Sequence, residues 1–239
     1  MILKRIAAAA VDALFPRICP VCNEIIPYYG LDICPGCEHK LTYVCGRICA
    51  KCGKPVDDDE VYCPDCARGR HVYDEGCAAL IYDENMSKSI YRFKYNGKRE
   101  FASFYGRVIE ERLEERIRNW NIDGMIPVPV HKSRLKKRGY NQAALIAKQI
   151  SKRLDIPVYD DIVIRTHATG AQKELGALER QNNLKKAFKV TRNVVKLESV
   201  LIVDDIYTTG ATVDAVADCL KGAGVKRVFF VSLCIGRGN

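Results

Sequence analysis

The stretch from Ser199 to Val213, SVLIVDDIYTTGATV, contains the residues with the most distinctive chemical potential. An apolar run ends in two neighbouring acids, and a turn rich in threonine and glycine follows at the start of a predicted helix. Free backbone N–H groups in such a turn, together with the dipole of the helix, favour a bound phosphate. Paired carboxylates can accept hydrogen bonds from the vicinal hydroxyls of a sugar. A turn that carries both features is suited to a ribose 5-phosphate.

This run resembles the phosphoribosyl-diphosphate (PRPP) binding motif of type I phosphoribosyltransferases. The resemblance implies that Asp204 and Asp205 contact the ribose 2- and 3-hydroxyls and that magnesium binds together with PRPP. It also implies a site for the 5-phosphate in the turn, formed by Thr208, Thr209, Gly210, Ala211 and Thr212. The alternative is an ordinary strand-to-helix turn in which an acid caps the helix.

Thr208 marks a departure from one branch of these enzymes. The hypoxanthine-guanine salvage enzymes have an acid at this position, which acts as a base on the purine ring. A threonine stands there in this chain. The resemblance therefore argues against that class of substrate.

A second cluster of chemically capable residues lies near the N-terminus, where nine of the twelve cysteines fall between Cys19 and Cys66. Eight of them form four CxxC pairs, or knuckles. Eleven residues separate the first pair from the second, and ten separate the third from the fourth. Four thiolates in two such knuckles satisfy tetrahedral zinc. We therefore expect two structural four-cysteine zinc sites, with the ligands Cys19, Cys22, Cys34, Cys37, Cys49, Cys52, Cys63 and Cys66.

Sequential and interleaved pairing of these knuckles both fit the spacing. Cys45 lies between the two sets and is either a spare thiol or a substitute ligand, while His39 and His71 are expected to be ordinary surface residues. A site closed by four protein ligands has no open position, so catalysis at zinc is not expected. The module is either a structural cap or a ribbon for docking or nucleic-acid binding.

Alternating strands and helices must position the turn, and the sequence from Gly76 onward has that texture. Strands alternating with helices indicate a mostly parallel sheet flanked by helices, the fold of type I phosphoribosyltransferases. The predicted strands are CAALIYD, DGMIPVPV, DIVIRT, SVLIV and KRVFFVSLCI. The predicted helices are residues 98–119, NQAALIAKQISKRL, the segment around ALERQNNLKKAF, and ATVDAVADCLKGAG, whereas HKSRLKKRG is expected to be a basic loop.

The domain organisation predicted from these patterns is an N-terminal helix and double zinc ribbon at 1–70, followed by a phosphoribosyltransferase-like domain at 76–239. Net charge differs between the two parts, since residues 1–76 carry 9 Lys+Arg against 11 Asp+Glu and residues 77–239 carry 29 against 18. The basic excess of the second part suits a polyanionic ligand or a solubilising surface. With no run of about 18 apolar residues, we expect no membrane span and a cytoplasmic location.

Further segments resemble the ComF family of bacterial competence proteins over nearly the whole chain. The matching segments are the knuckles after a short helix, FKYNGKRE at 93–100, IPVPVHKSRLKKRGYNQA at 126–143, and Thr169, Gln172, Leu175, Arg180, Asn183 and Phe188. In the basic segment, Arg138 is the candidate for the pyrophosphate of PRPP, since Gly139 next to it lets the backbone approach a ligand. Gln172 and Arg180 are candidate catalytic residues on a lid that excludes water from the reacting sugar carbon.

The family resemblance implies a role in taking up transforming DNA, with single-stranded DNA and a DNA-uptake helicase as partners. Three hypotheses follow. The chain is a PRPP-binding phosphoribosyltransferase that serves DNA uptake, a non-catalytic nucleic-acid-binding adaptor, or a nucleobase salvage enzyme. If the chain is catalytic, the reaction is displacement of pyrophosphate from C1 of PRPP, in which magnesium and the basic segment neutralise the leaving group.

Overall fold

The computed structural model describes residues 16–27, 30–69, 71–167, 187–191 and 196–237. The strands are β1 (Glu75–Ile81), β2 (Gly124–Pro127), β3 (Val163–Arg165), β4 (Phe188–Val190), β5 (Ser199–Tyr207) and β6 (Arg227–Ile235). The helices are α1 (Pro64–Arg68), α2 (Glu84–Tyr95), α3 (Phe101–Asn119), α4 (Lys132–Arg138), α5 (Gln142–Leu154) and α6 (Ala211–Gly222), and a 3-10 helix spans Pro35–Lys40.

A parallel sheet forms the centre of the molecule. Its strands lie in the order β1-β6-β5-β2, and every neighbouring pair is parallel. β5 and β6 are central and almost entirely buried, as expected for strands covered on both faces. The predicted architecture, a mostly parallel sheet flanked by helices, is confirmed.

Two apolar layers cover the sheet. Helices α2, α3 and α5 contribute Phe93, Tyr105 and Ile146 to a buried cluster on one face. Helix α6 contributes Val213 and Val216 to a second cluster on the other face. The crossover helices therefore hold the carboxyl ends of the strands at one edge, where ligands of open α/β folds bind.

Both zinc ribbons pack against this sheet domain. In the first ribbon, Arg92 of α2 donates to the carbonyl of Val21 at 2.8 Å, and Arg107 of α3 pairs with Asp32 at 2.7 Å. The segment between the ribbons, Thr42–Val44, hydrogen-bonds along the open edge of β1 in the antiparallel sense. The ribbons thus shield an edge that would otherwise expose unpaired backbone groups.

Several local predictions need correction. HKSRLKKRG is not a loop, because Lys132–Arg138 form a helix that ends at Gly139 in the left-handed conformation. Gly139 suits this cap, since its φ of 78° is a conformation that other residues rarely adopt. Helix α2 and strand β4 were not predicted, and neither was the antiparallel pairing of β4 with β3, which lies in the predicted strand DIVIRT.

Three further predictions concern two helices and the absence of a membrane span. The N-terminal helix, predicted within residues 1–15, and the helix around ALERQNNLKKAF lie outside the described residues. A bilayer-spanning helix is absent from the part of the chain that the structure describes.

Candidate functional site

The twin aspartates lie at the carboxyl end of β5, which runs on through them to Tyr207. Asp205 is buried and Asp204 is half-buried. Asp204 and the turn that follows it line one pocket of about 50 Å³. The sequence segment selected for its chemistry therefore forms a concave site at the edge of a parallel sheet, between β5 and α6.

The turn itself presents small polar groups to this pocket. Thr208 and Thr209 are exposed, Ala211 and Thr212 are half-buried, and Gly210 is the N-cap of α6 with a φ of 82°. No side chain caps the helix, so the alternative in which an acid serves as the cap is wrong. The first turn of a helix leaves N–H groups without partners inside the helix, and these groups suit an anion.

Gly210 cannot be replaced without strain. Its positive φ disfavours any side chain, and a Cβ would lie 2.6 Å from the Tyr207 hydroxyl and 3.0 Å from His71 Cε1. The backbone of the turn is therefore packed directly on two aromatic side chains. One of them, His71, comes from the segment that links the second zinc ribbon to β1.

The two carboxylates have different electrostatic surroundings. Asp205 pairs with Lys94 of α2 at 2.7 Å. Burial, and then the charge on Asp205, raise the pKa of Asp204 to about 8. Burial acts to lower the pKa of Lys94, but the carboxylates of Asp205 and Asp204 outweigh it and hold that pKa above its usual value. The site therefore combines a charged pair with a second acid that holds its proton readily.

Lys94 was missed as a functional residue by sequence reasoning. It lies in FKYNGKRE, which was recognised as a family segment without any residue in it being singled out. A lysine at the next-to-last position of an amphipathic helix ordinarily points to solvent, as its neighbours Tyr91 and Tyr95 do here. The side chain of Lys94 is only 23% exposed because it reaches the acids across the sheet edge.

His71 was predicted to be an ordinary surface residue, and that prediction is wrong. Its side chain is 8% exposed, and its Nδ1 lies 2.7 Å from Oδ2 of Asp214, in the first turn of α6. The other carboxylate oxygen of Asp214 accepts the backbone N–H of Val72 at 2.8 Å. His71 therefore fastens the linker after the second zinc ribbon to α6. This helix follows the predicted phosphate-binding turn at residues 208–212, called the phosphate turn below.

The remaining candidate catalytic residues lie at the margin of the site or outside the described residues. Arg138 hydrogen-bonds to Gln142 and lies over the ring of Tyr95 at 5.0 Å. Tyr95 follows Lys94 in the chain, so Arg138 lies at the end of α2 from which Lys94 reaches Asp205. Gln172 and Arg180 lie outside the described residues.

The cysteines gather into two sets that follow chain order. Cys19, Cys22, Cys34 and Cys37 form one cluster, and Cys49, Cys52, Cys63 and Cys66 form the other, with the sulfur atoms of each set within 4.8 Å of one another. The pairing is therefore sequential rather than interleaved. Cys45 is exposed and belongs to neither set. Four converging thiols are the donor set of structural zinc, so both clusters fit the metal predicted for them.

Comparisons with known proteins agree with both halves of this description. Residues 10–67 match the family model of the double zinc ribbon domain, and residues 141–238 match that of the phosphoribosyl transferase domain. Among curated proteins, the chain is 31% identical to "Competence protein F" of Haemophilus influenzae, over 82% of this chain and 87% of that protein. It is 28% identical to "DNA utilization protein YhgH" of Escherichia coli K12, over 92% and 97%.

A third relative comes from a distant bacterium. The chain is 27% identical to "Competence protein ComFC" of Bacillus subtilis, over 80% of this chain and 79% of that protein. Each match covers at least 80% of this chain, so the likeness extends well beyond the turn after β5. The chain belongs to the ComF family, in which a double zinc ribbon precedes a phosphoribosyltransferase domain.

Proposed function

We propose that this protein binds PRPP with magnesium at the carboxyl end of β5 and works in the cytoplasm in the handling of incoming single-stranded DNA. The observation that carries the first part is the pocket shared by Asp204 and the turn up to Val213. The second part rests on the names of its relatives, which are competence and DNA utilization proteins. A DNA-uptake helicase is the partner that such a role would require.

In the proposed complex, the 5-phosphate lies in the turn formed by Thr208, Thr209, Gly210, Ala211 and Thr212. Backbone N–H groups at the start of α6 and the threonine hydroxyls are its hydrogen-bond donors. The ribose hydroxyls face Asp204 and Asp205, whose carboxylates can accept their hydrogen bonds. Lys94 pairs with Asp205 at 2.7 Å, and the carboxylate of Asp205 keeps further lone pairs that can accept a ribose hydroxyl.

Magnesium fits this site through the chemistry of its donors. Carboxylate oxygens and the phosphate oxygens of PRPP are the ligands that magnesium prefers, and it would neutralise charge on the departing pyrophosphate. Asp204, which is half-buried and lines the pocket, is the nearer protein ligand. Arg138, Gln172 and Arg180 are proposed to act on the pyrophosphate and the reacting sugar carbon.

The transfer reaction open to such a complex is a displacement at C1. An acceptor nitrogen or oxygen would form a bond to C1 while the bond from C1 to the pyrophosphate oxygen breaks, and pyrophosphate would leave with that electron pair. Exclusion of water and stabilisation of charge are the parts that the protein supplies. Thr208, in place of an acid, argues against a hypoxanthine-guanine acceptor.

Calorimetric titration of PRPP with magnesium tests the proposal. At pH 9, above the pKa of about 8 of Asp204, we expect binding by the wild-type protein and at least a tenfold loss of affinity in Asp204→Asn, because a neutral amide is a weaker acceptor for the ribose hydroxyls than a carboxylate. Asp218→Asn is the matched control, since Asp218 is an exposed acid on α6 away from the turn. Equal affinity of wild type and Asp204→Asn, or no PRPP binding by the wild type, would contradict the assignment of the site.

A further inference from the structure

Two large aromatic side chains stand exposed on one side of α2. Tyr91 is 60% exposed and Tyr95 is 58% exposed, whereas Ile90 and Phe93 on the other side of the helix are buried. The tyrosine rings lie one turn apart, with their centroids 5.0 Å from each other and their planes tilted by 47°. Together they form a small aromatic platform that faces solvent.

The basic helix α4 lies beside this platform. The guanidinium of Arg138 sits over the ring of Tyr95 at 5.0 Å, and Arg99 donates to the carbonyl of Gly139 at 3.2 Å. The hydroxyl of the buried Tyr140 donates to the carbonyl of Phe93. These contacts fix α4 against the C-terminal half of α2, so the platform and the basic helix form one continuous surface.

No ion pair within the described part of the chain compensates the charge on α4. The helix has five basic residues and no acid, and the side chains of Lys132, Lys136 and Lys137 are exposed. Among the described residues, none of the five forms an ion pair with a carboxylate, whereas lysines elsewhere on the surface, such as Lys88 and Lys226, do. A row of uncompensated cations next to exposed aromatic rings is the combination that binds single strands, through phosphates and stacked bases.

We infer that the surface formed by Tyr91, Tyr95 and α4 binds single-stranded DNA, with bases stacked on the tyrosines and phosphates held by the lysines. This inference rests on the DNA-handling part of the proposed function and assigns it a location. Duplex DNA fits less well, because its bases are already stacked on one another and cannot lie on the rings.

The location also relates the DNA to the pocket. Arg138 lies over the ring of Tyr95, and Lys94, the residue before Tyr95 in α2, pairs with Asp205. A strand bound on α2 and α4 is therefore held on the helix whose Lys94 reaches the acids of the proposed PRPP site.

The test measures binding of a fluorescein-labelled oligothymidylate by anisotropy, as a function of salt. Tyr91→Ala should weaken binding about fivefold or more, as expected for the loss of one stacked base, and Tyr91→Phe should bind nearly as the wild type does because it keeps the ring. Lys136→Ala with Lys137→Ala should reduce the slope of log affinity against log salt by about 1.4, or about 0.7 for each phosphate contact.

Matched controls come from the same chain. Tyr62→Ala removes a tyrosine that is 50% exposed in the second ribbon, and Lys152→Ala removes an exposed lysine at the end of α5. Neither should change DNA binding. PRPP affinity, measured in parallel by calorimetry, should stay unchanged in Tyr91→Ala, which lies outside the pocket.

Each outcome separates the inference from the function on which it rests. If the wild type does not bind the oligothymidylate, both the DNA-handling role and the surface are wrong. If the wild type binds and Tyr91→Ala binds equally well, the role stands and the surface is wrong. Equal affinity for a duplex would also reject the surface as a stacking platform.

Discussion

At the scale of single residues, Asp204 is the group whose titration most directly reports the state of the site. Its pKa is raised to about 8 by burial and by the charge of Asp205, against an ordinary value of 3.8. Between these two pH values the folded protein binds a proton at Asp204 that the unfolded chain does not hold. The resulting stabilisation is fully present below about pH 4 and is lost as the pH rises towards 8.

Asp204→Asn should remove this pH dependence, because an amide stays neutral throughout the range. We expect the free energy of unfolding of Asp204→Asn to exceed that of the wild type by a margin that grows from pH 5 to pH 8 and reaches at least about 1 kcal/mol. Urea unfolding at several pH values measures it, with Asp218→Asn as the control for the loss of an exposed acid. A constant difference across the range would show that Asp204 is ionised throughout.

Whether a residue of the site could be predicted from the sequence depended on how far its partners lie along the chain. Asp204, Asp205 and the threonines were predicted because they form one contiguous run with a recognisable purpose. His71 could not be predicted, since its partner Asp214 lies 143 residues away and neither belongs to a motif. Lys94 is similar, because its link to Asp205 exists only once α2 is laid against the end of β5.

At the scale of elements, the strand end that leads into the phosphate turn packs on a stack of aromatic side chains. The ring of Tyr207 lies flat on Phe230 of β6, with centroids 4.5 Å apart. Its hydroxyl is 2.7 Å from that of Tyr73, which comes from the linker before β1, and both side chains are buried. The turn between β5 and α6 thus rests on a residue contributed by the segment after the zinc ribbon.

Tyr73→Phe should destabilise the protein by about 1–3 kcal/mol, because it leaves the buried hydroxyl of Tyr207 without its partner. The double variant Tyr73→Phe with Tyr207→Phe should lose much less than the sum of the two single changes, since both hydroxyls are then gone. Chemical denaturation of the four proteins of this cycle measures the coupling. Tyr43→Phe is the control, because its hydroxyl pairs with Glu38 at an exposed position and should matter little.

The prediction of elements succeeded where a pattern was long and failed where it was short or ambiguous. The apolar strands β5 and β6 and the amphipathic helix α5 have enough residues to show their periodicity. Helix α4 has seven residues, all but one of them polar or charged, so nothing in its hydrophobic pattern indicates a helix. Its caps, His131 and Gly139, were the available signal.

At the scale of the whole molecule, the ribbons and the sheet share their apolar interior. Cys49, Cys52 and Cys63 belong to the same buried cluster as Tyr73 and Phe230. Cys19 and Cys37 belong to the cluster on the opposite face. The sequence predicted an N-terminal helix and double zinc ribbon at 1–70, whose knuckles and turns contain few residues for a core of their own. The structure provides that core from the sheet domain.

Removal of zinc should therefore weaken the sheet domain as well as the ribbons. The single tryptophan, Trp120, reports this domain alone, since it follows α3 and stacks on Phe229 of β6 at 4.7 Å. We expect a chelator to lower the midpoint of thermal unfolding seen by tryptophan fluorescence by at least about 5 °C. This shift corresponds to a loss of about 2 kcal/mol of stability, because 1 kcal/mol shifts the midpoint by about 2–4 °C at this size.

Variants with one zinc site each distinguish the two ribbons. Cys66→Ser opens the second site, whose linker holds the phosphate turn through His71 and Tyr73, so it should reduce PRPP affinity as well as the unfolding midpoint. Cys22→Ser opens the first site, which contacts α2 and α3 on the other face, and should affect stability more than PRPP affinity. An unchanged Trp120 transition after zinc loss would show that the ribbons fold and unfold independently of the sheet.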